Sequence, residues 1–297
     1  MTQAPSDPVS GPEPTAWRDW SELAAAECVK VPGADDDKYT RGVLGVVTGS
    51  AEFPGAAVLG VEAAVRTGLG MVRYLGPRRP SRLVLQARPE VVTVAGRVQA
   101  WLIGSGMNSA TRTESAGELL AHALDDGTPV VIDAGALDLV GRVTGPAVLT
   151  PHAGELATLL TAAGFEVDRR AIAAEPERWA ETAADSTGCV VLLKGRVTHV
   201  CSPLRDGVRT AARIEAPSSW AATAGSGDVL GGVVGAVVAT HADEAGDPAR
   251  LVALAATGAY VHAWAADRAS NRGPIAALDI AAAVPRIIAR LASGSAD

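Results

Sequence analysis

Short runs of Val, Ile and Leu with no polar residue between them recur along the chain, as in Val130-Val131-Ile132 and Val190-Val191-Leu192-Leu193. A strand with one wet face alternates apolar and polar side chains, so an unbroken apolar run marks a strand covered on both faces. Longer stretches with apolar residues at helical spacing separate these runs. Strand–helix alternation of this kind builds a mostly parallel central sheet flanked by helices on both faces, an α/β fold. Strands are predicted at Val43–Thr48, Met71–Leu75, Val91–Val94, Ala100–Ile103, Val130–Asp133, Ala147–Leu149, Val190–Lys194, Thr198–Cys201 and Val208–Ile214. Helices are predicted at Gly55–Thr67, Thr111–Leu124, Gly154–Ala163, Glu175–Thr187, Asp228–Thr240, Pro248–Arg268 and Ile275–Leu291. The strands between Val190 and Ile214 follow one another so closely that antiparallel hairpins near one sheet edge are expected.

The chain has 297 residues, 48% of them hydrophobic, enough for one large buried core. No repeat and no long internal linker divides it, so residues 17–297 are expected to form a single domain after a tail at 1–16. Met1 to Pro14 is rich in Pro, Ser and Gly, with neither a basic start nor an apolar run, and reads as a disordered tail rather than a secretory signal. No window approaches the roughly 18 consecutive apolar residues of a membrane span. A net charge of −7 argues against nucleic acid or an anionic membrane as a general partner, while leaving room for a local anion site. Cys28, Cys189 and Cys201 form no CxxC pair, which fits a reducing, cytoplasmic setting. Cys189 is expected in the core and Cys201 partly exposed.

In sheets of this kind ligands bind beyond the carboxyl ends of the strands. Five motifs fall there: Thr48-Gly49-Ser50, Gly104-Ser105-Gly106, Asp133-Ala134-Gly135, Thr150-Pro151-His152 and Lys194-Gly195. Five on one rim outline a site. A sixth stretch, Thr223 to Gly232, runs a small-residue loop straight into an apolar helix. Gly225 and Gly227 permit a tight turn and close approach of a ligand, and amides opening the helix face an anion. Asp228 sits at the helix start, where the dipole is expected to hold it ionised. Both an anion hole with an adjacent carboxylate and an ordinary capped helix fit this stretch. No GxxxxGK[ST] loop is present, and the glycine triplets at Gly68, Gly104 and Gly225 fail GxGxxG at the third glycine. That excludes a P-loop ATPase and argues against a standard dehydrogenase. His152 lies on a rim loop and is a candidate ligand contact, whereas His122, His199, His241 and His262 lie within predicted elements and look structural. Lys194-Gly195-Arg196-Val197-Thr198 places two cations beside a glycine turn, suited to a nucleotide phosphate or simply to solvent. No residue set for a dedicated metal site is found; any metal would be Mg²⁺ carried mainly by phosphates.

The motifs together resemble the ADP-dependent NAD(P)H-hydrate dehydratase family of the ribokinase-like fold. The resemblance rests, in order, on Gly49-Ser50 with Phe53-Pro54-Gly55-Ala56-Ala57, Arg66-Thr67-Gly68-Leu69-Gly70, Gly104-Ser105-Gly106 and Asp133 to Leu137. Thr150 to Glu155, Leu193-Lys194-Gly195 and Ala224 to Gly232 complete it. Phe53 stands where the family commonly has tyrosine, and Ala224 where it commonly has glycine. The resemblance implies ADP-dependent dehydration of (S)-NADH-hydrate or (S)-NADPH-hydrate, giving AMP and phosphate, with Mg²⁺. It further implies that Asp228 is the base on the substrate hydroxyl and that Gly225, Ser226 and Gly227 hold the transferring phosphoryl group. Lys194, Gly195, Arg196, Val197, Thr198 and Gly227 would border the nucleotide, and Ala57, Gly106, His152 and Asp228 the hydrated nicotinamide. A homo-oligomer, a tetramer by resemblance, and a separate epimerase partner are expected. A ribokinase-like vitamin-precursor kinase and a non-catalytic nucleotide-binding protein are the alternative readings of the same loop.

Overall fold

The computed structural model describes residues 15–294, so residues 1–14 of the expected tail lie outside the described residues. In chain order the elements begin with β1 (Trp17–Asp19), α1 (Glu22–Ala26), β2 (Val43–Val47), α2 (Gly55–Thr67), β3 (Met71–Tyr74), α3 (Arg78–Ala87) and β4 (Ala100–Ile103). They continue with α4 (Glu114–Asp125), β5 (Val130–Ile132), a 3₁₀ segment at Ala134–Arg142, β6 (Ala147–Leu149), α5 (Ala153–Ala162), α6 (Arg169–Ala174) and α7 (Pro176–Thr187). The last elements are β7 (Val190–Leu193), β8 (Val197–Cys201), β9 (Ala211–Glu215), α8 (Ser226–Thr240), α9 (Pro248–Ser270) and α10 (Ala277–Ser293).

The strands form one sheet in the order β1-β9-β8-β7-β6-β5-β4-β2-β3. From β3 to β7 every pairing is parallel. The expected antiparallel hairpins are β7–β8 and β8–β9. Val131 faces one core and Val130 and Ile132 the other, which is why β5 carries no polar residue. The first core is built with α1, α2, α8, α9 and α10, the second with α4 to α7. A Cβ at Gly232 would lie 2.1 Å from the Gly60 carbonyl oxygen, so α2 and α8 touch backbone to backbone there. That contact brings the start of α8 to the rim at which α2 begins, where Leu59 and Gly60 meet Gly225 and Asp228.

Several expectations are corrected. β1, α1, α3 and α6 were not foreseen. Val91–Val94 makes only an isolated bridge from Val92 to Arg73 rather than a strand. β9 starts at Ala211 rather than Val208, because Asp206 and Gly207 both adopt positive φ in a turn closed between Arg205 and Val208. Cys201 is fully buried, since β9 and β1 continue the sheet beyond β8 and make it an interior strand.

Candidate active site

Because β2, β4, β5, β6 and β7 run parallel, their carboxyl ends share one rim, and the five motifs meet there. The Gly49 amide donates to the Ser105 carbonyl at 2.7 Å, tying the first two turns. Asp133, 3% exposed, lies beneath the next three. It accepts hydrogen bonds from Ser105 Oγ (2.9 Å), Thr150 Oγ1 (2.8 Å) and Lys194 Nζ (2.9 Å). Lys194 Nζ also stands 3.6 Å from Glu155 Oε2. Burial lowers its proton affinity, but the charges of Asp133 and Glu155 outweigh that, and its proton affinity is raised.

His152 caps α5. Its Nδ1 accepts from the amides of Gly154 (3.0 Å) and Glu155 (3.1 Å), and the Glu155 carboxylate accepts from the His152 amide. With Nδ1 used as acceptor, the ring carries a proton on Nε2, which stands 3.5 Å from Glu155 Oε1.

Gly225 takes a left-handed conformation (φ 86°) at the cap of α8. Ser226 Oγ lies 3.0 Å from His262 Nε2. Among the described residues Asp228 has no hydrogen-bond partner for its carboxylate. Its carboxyl is pushed up to about 6, by burial first and by the charge of Asp133 second, against the pull of Lys194. This corrects the expectation that the helix start keeps it readily ionised. Burial and a like charge outweigh the dipole.

A cavity of about 570 Å³ opens over this loop, lined by His152, Lys194, Gly195, Arg196, Thr198, Ser226, Gly227 and His262 among others. Val197 is not part of that lining; it faces a separate cavity of about 630 Å³ shared with His199 and Arg213. Ala57 is fully buried as the third residue of α2, backbone and side chain alike, and packs against Gly49. Gly106 (φ 65°) packs against it through Gly49: a Cβ there would sit 2.3 Å from Ala56 Cβ and 3.3 Å from Gly49 Cα. Ala57 and Gly106 thus form one wall of the rim, while His152 lines the cavity on the Lys194 side. His262, set aside as structural, lines this cavity, and Asp133, noted only as part of a motif, anchors its lysine. His262 gives no local signal in sequence, being in the middle of α9; Asp133 shows one, a carboxylate ending an apolar strand. Among the described residues no three His, Cys, Asp or Glu side chains gather into a metal cluster.

A mostly parallel sheet with a glycine loop, a buried lysine and a carboxylate on its carboxyl rim places the chain among ribokinase-like α/β proteins. A ribokinase-like superfamily protein of Enterococcus faecalis shares the fold, with a TM-score of 0.77 at 19% identity over 93% of this chain and 96% of that one. The family model described as NAD(P)H-hydrate dehydratase matches residues 44–286, and the chain belongs to that family. It is similar to the ADP-dependent (S)-NAD(P)H-hydrate dehydratase of Xanthomonas campestris, 33% identical over 91% of this chain and 96% of the relative. It is 44% identical to the Bifunctional NAD(P)H-hydrate repair enzyme Nnr of Mycobacterium tuberculosis over 71% of this chain. The chain spans under half of that relative's length, 43%. The fold is also that of the ADP/ATP-dependent NAD(P)H-hydrate dehydratase of Bacillus subtilis co-crystallized with ATP/Mg²⁺. That similarity has a TM-score of 0.78, with 24% identity, 93% of this chain and 99% of that one.

Proposed function

We propose that the chain dehydrates (S)-NADH-hydrate or (S)-NADPH-hydrate back to NADH or NADPH, converting ADP to AMP and phosphate. The observation that carries this reading is the Asp228 carboxylate, without a hydrogen-bond partner among the described residues, beside the Gly225–Gly227 loop with the Lys194 ammonium next to it. Asp228 accepts the proton of the ring hydroxyl as that oxygen takes the phosphoryl group. The loop amides and Lys194 stabilise the charge on the group in transit, since phosphoryl transfer needs mainly positioning and electrostatics. Phosphate then leaves far more readily than hydroxide, and loss of a ring proton restores the dihydropyridine. Mg²⁺, when bound with the nucleotide, neutralises phosphate charge. The nucleotide occupies the 570 Å³ cavity along Lys194, Gly195, Arg196 and Thr198, and the hydrated nicotinamide lies toward Ala57, Gly106 and His152. A cytoplasmic homo-oligomer working with a separate epimerase belongs to the same reading.

Purified protein incubated with ADP, Mg²⁺ and hydrated NADH should restore NADH absorbance, with AMP and phosphate formed in equal amounts. A stable phosphorylated product would instead mark a small-molecule kinase, and nucleotide binding without turnover a binding protein.

A further inference from the structure

Asp133 touches neither ligand in the reaction proposed above, and it does not line the nucleotide cavity. A buried carboxylate is costly unless fully partnered. Here both oxygens are occupied, Oδ2 by Ser105 and Oδ1 by Thr150 and Lys194. The lysine it holds is aimed at the loop: a Cβ on Gly227 would lie 3.6 Å from Lys194 Nζ. Asp228 feels both charges from its own side.

We propose that Asp133 is a positioning residue for phosphoryl transfer, clamping the Lys194 ammonium against Gly227 and setting a second negative charge behind Asp228. The inference rests on the proposed reaction and assigns its electrostatics. In that step the substrate hydroxyl oxygen bonds to the β-phosphorus of ADP and the bond from that phosphorus to the bridging oxygen breaks. AMP leaves with the electron pair, and the hydroxyl proton passes to Asp228. A cation fixed beside the loop offsets the charge of the moving group without reorganising. Burial strengthens Asp228 as a base and the charge of Asp133 adds to it, pushing its carboxyl up to about 6, suited to neutral pH. The charged groups facing Asp228 are Asp133 from the end of β5 and Lys194 from the end of β7, with Glu155 of α5 acting through Lys194. From α10 the nearest carboxylate, Asp279, is taken up by the Ala276 amide, and α2 presents the Leu59 methyl group to the loop.

Asp133→Asn keeps the shape and removes the charge. Titration of the Asp228 carboxyl carbon by NMR in ligand-free protein should show a midpoint near 6 in the wild type and a lower one in D133N. The acid limb of the kcat profile should move down with it, and kcat at neutral pH should fall on the order of 10²-fold. A role confined to folding would lower the active fraction and leave both the midpoint and the limb in place, which would overturn the proposal. If D133N does not fold, Lys194→Met serves: losing the cation should raise the Asp228 midpoint above the wild-type value, and an unchanged midpoint would overturn the proposal. Wild-type protein that gives no AMP from ADP and hydrated NADH would refute the reaction, while the ligand-free titration would still decide whether Asp133 and Lys194 govern Asp228.

Discussion

Asp228 is held in a place that suits catalysis and costs stability. Its folded proton affinity, about 6, lies above the ordinary 3.8, so the folded state binds the extra proton between those values. Stability therefore falls as pH rises from about 4 through 6, and the full penalty applies above 6. Asp228→Asn removes the buried charge and should stabilise the fold by about 2 kcal/mol at pH 8, with the gain shrinking toward pH 4. Urea melts at the two pH values check this. The same substitution should cut kcat by about 10²–10⁴-fold while ADP affinity stays within a few-fold, as expected for a lost general base. Wild-type kcat should rise with pH through about 6 and then level off. The motif that carries Asp228 was legible because a glycine loop running into an apolar helix is a local pattern. Its charge state was not, because Asp133 lies almost a hundred residues away. His262 was missed for a related reason: it approaches Ser226 only once α8 and α9 pack, and a histidine within an apolar helix looks like core.

Between residue and fold stands the pairing of α2 with α8. Gly60 and Gly232 let the two backbones touch, and a Cβ at Gly232 would also lie 2.9 Å from Ala63 Cβ. Gly232→Ala should force the helices apart and destabilise by about 3 kcal/mol, seen as a lowered urea midpoint. Because both helices start at the rim, the surviving folded protein should also lose substrate and nucleotide affinity together. Gly195 is a different case. A Cβ there meets only the Val197 carbonyl, at 3.0 Å, so Gly195→Val should fold. Its side chain projects where the nucleotide cavity begins, so the KM for ADP should rise about tenfold or more while that for hydrated NADH moves little. Equal rises for both would place the two ligands differently. The interior strands and α2 were readable from sequence, since strands buried on both faces announce themselves. α3 was not: Pro77 and Pro80 flank its start, its sequence is basic, and only Pro80 and Val84 are buried.

At the scale of the whole molecule, two of the unforeseen elements, β1 and α1, tie the two cores together. β1 is three residues, Trp-Arg-Asp, with no apolar run, and it exists only because β9 offers an edge to pair with. Trp17 packs into one core and Trp20 into the other. Trp17 Nε1 donates to Glu181 of α7 at 3.0 Å, and Trp20 Nε1 to Thr257 of α9 at 3.2 Å. Glu22 of α1 then pairs with Arg290 of α10 at 3.0 Å. Removing the chain through Ala26 would take away all three anchors and leave β9 as a bare edge, with unpaired backbone groups ready to add a strand from another molecule. The truncated protein should melt several degrees lower and elute as larger, concentration-dependent species than the full chain does. Thr198 of β8 and Ile214 of β9 line the nucleotide cavity, but Asp133, Lys194 and Asp228 stand at the ends of β5 and β7 and the start of α8, so kcat per folded molecule should change less than about threefold while stability drops. Light scattering, a thermal melt and an active-site-normalised assay on the one preparation test all three expectations. Unchanged melting and size would mean that β1 and α1 merely rest on the sheet, whereas kcat falling with stability would mean that the edge and the rim are coupled.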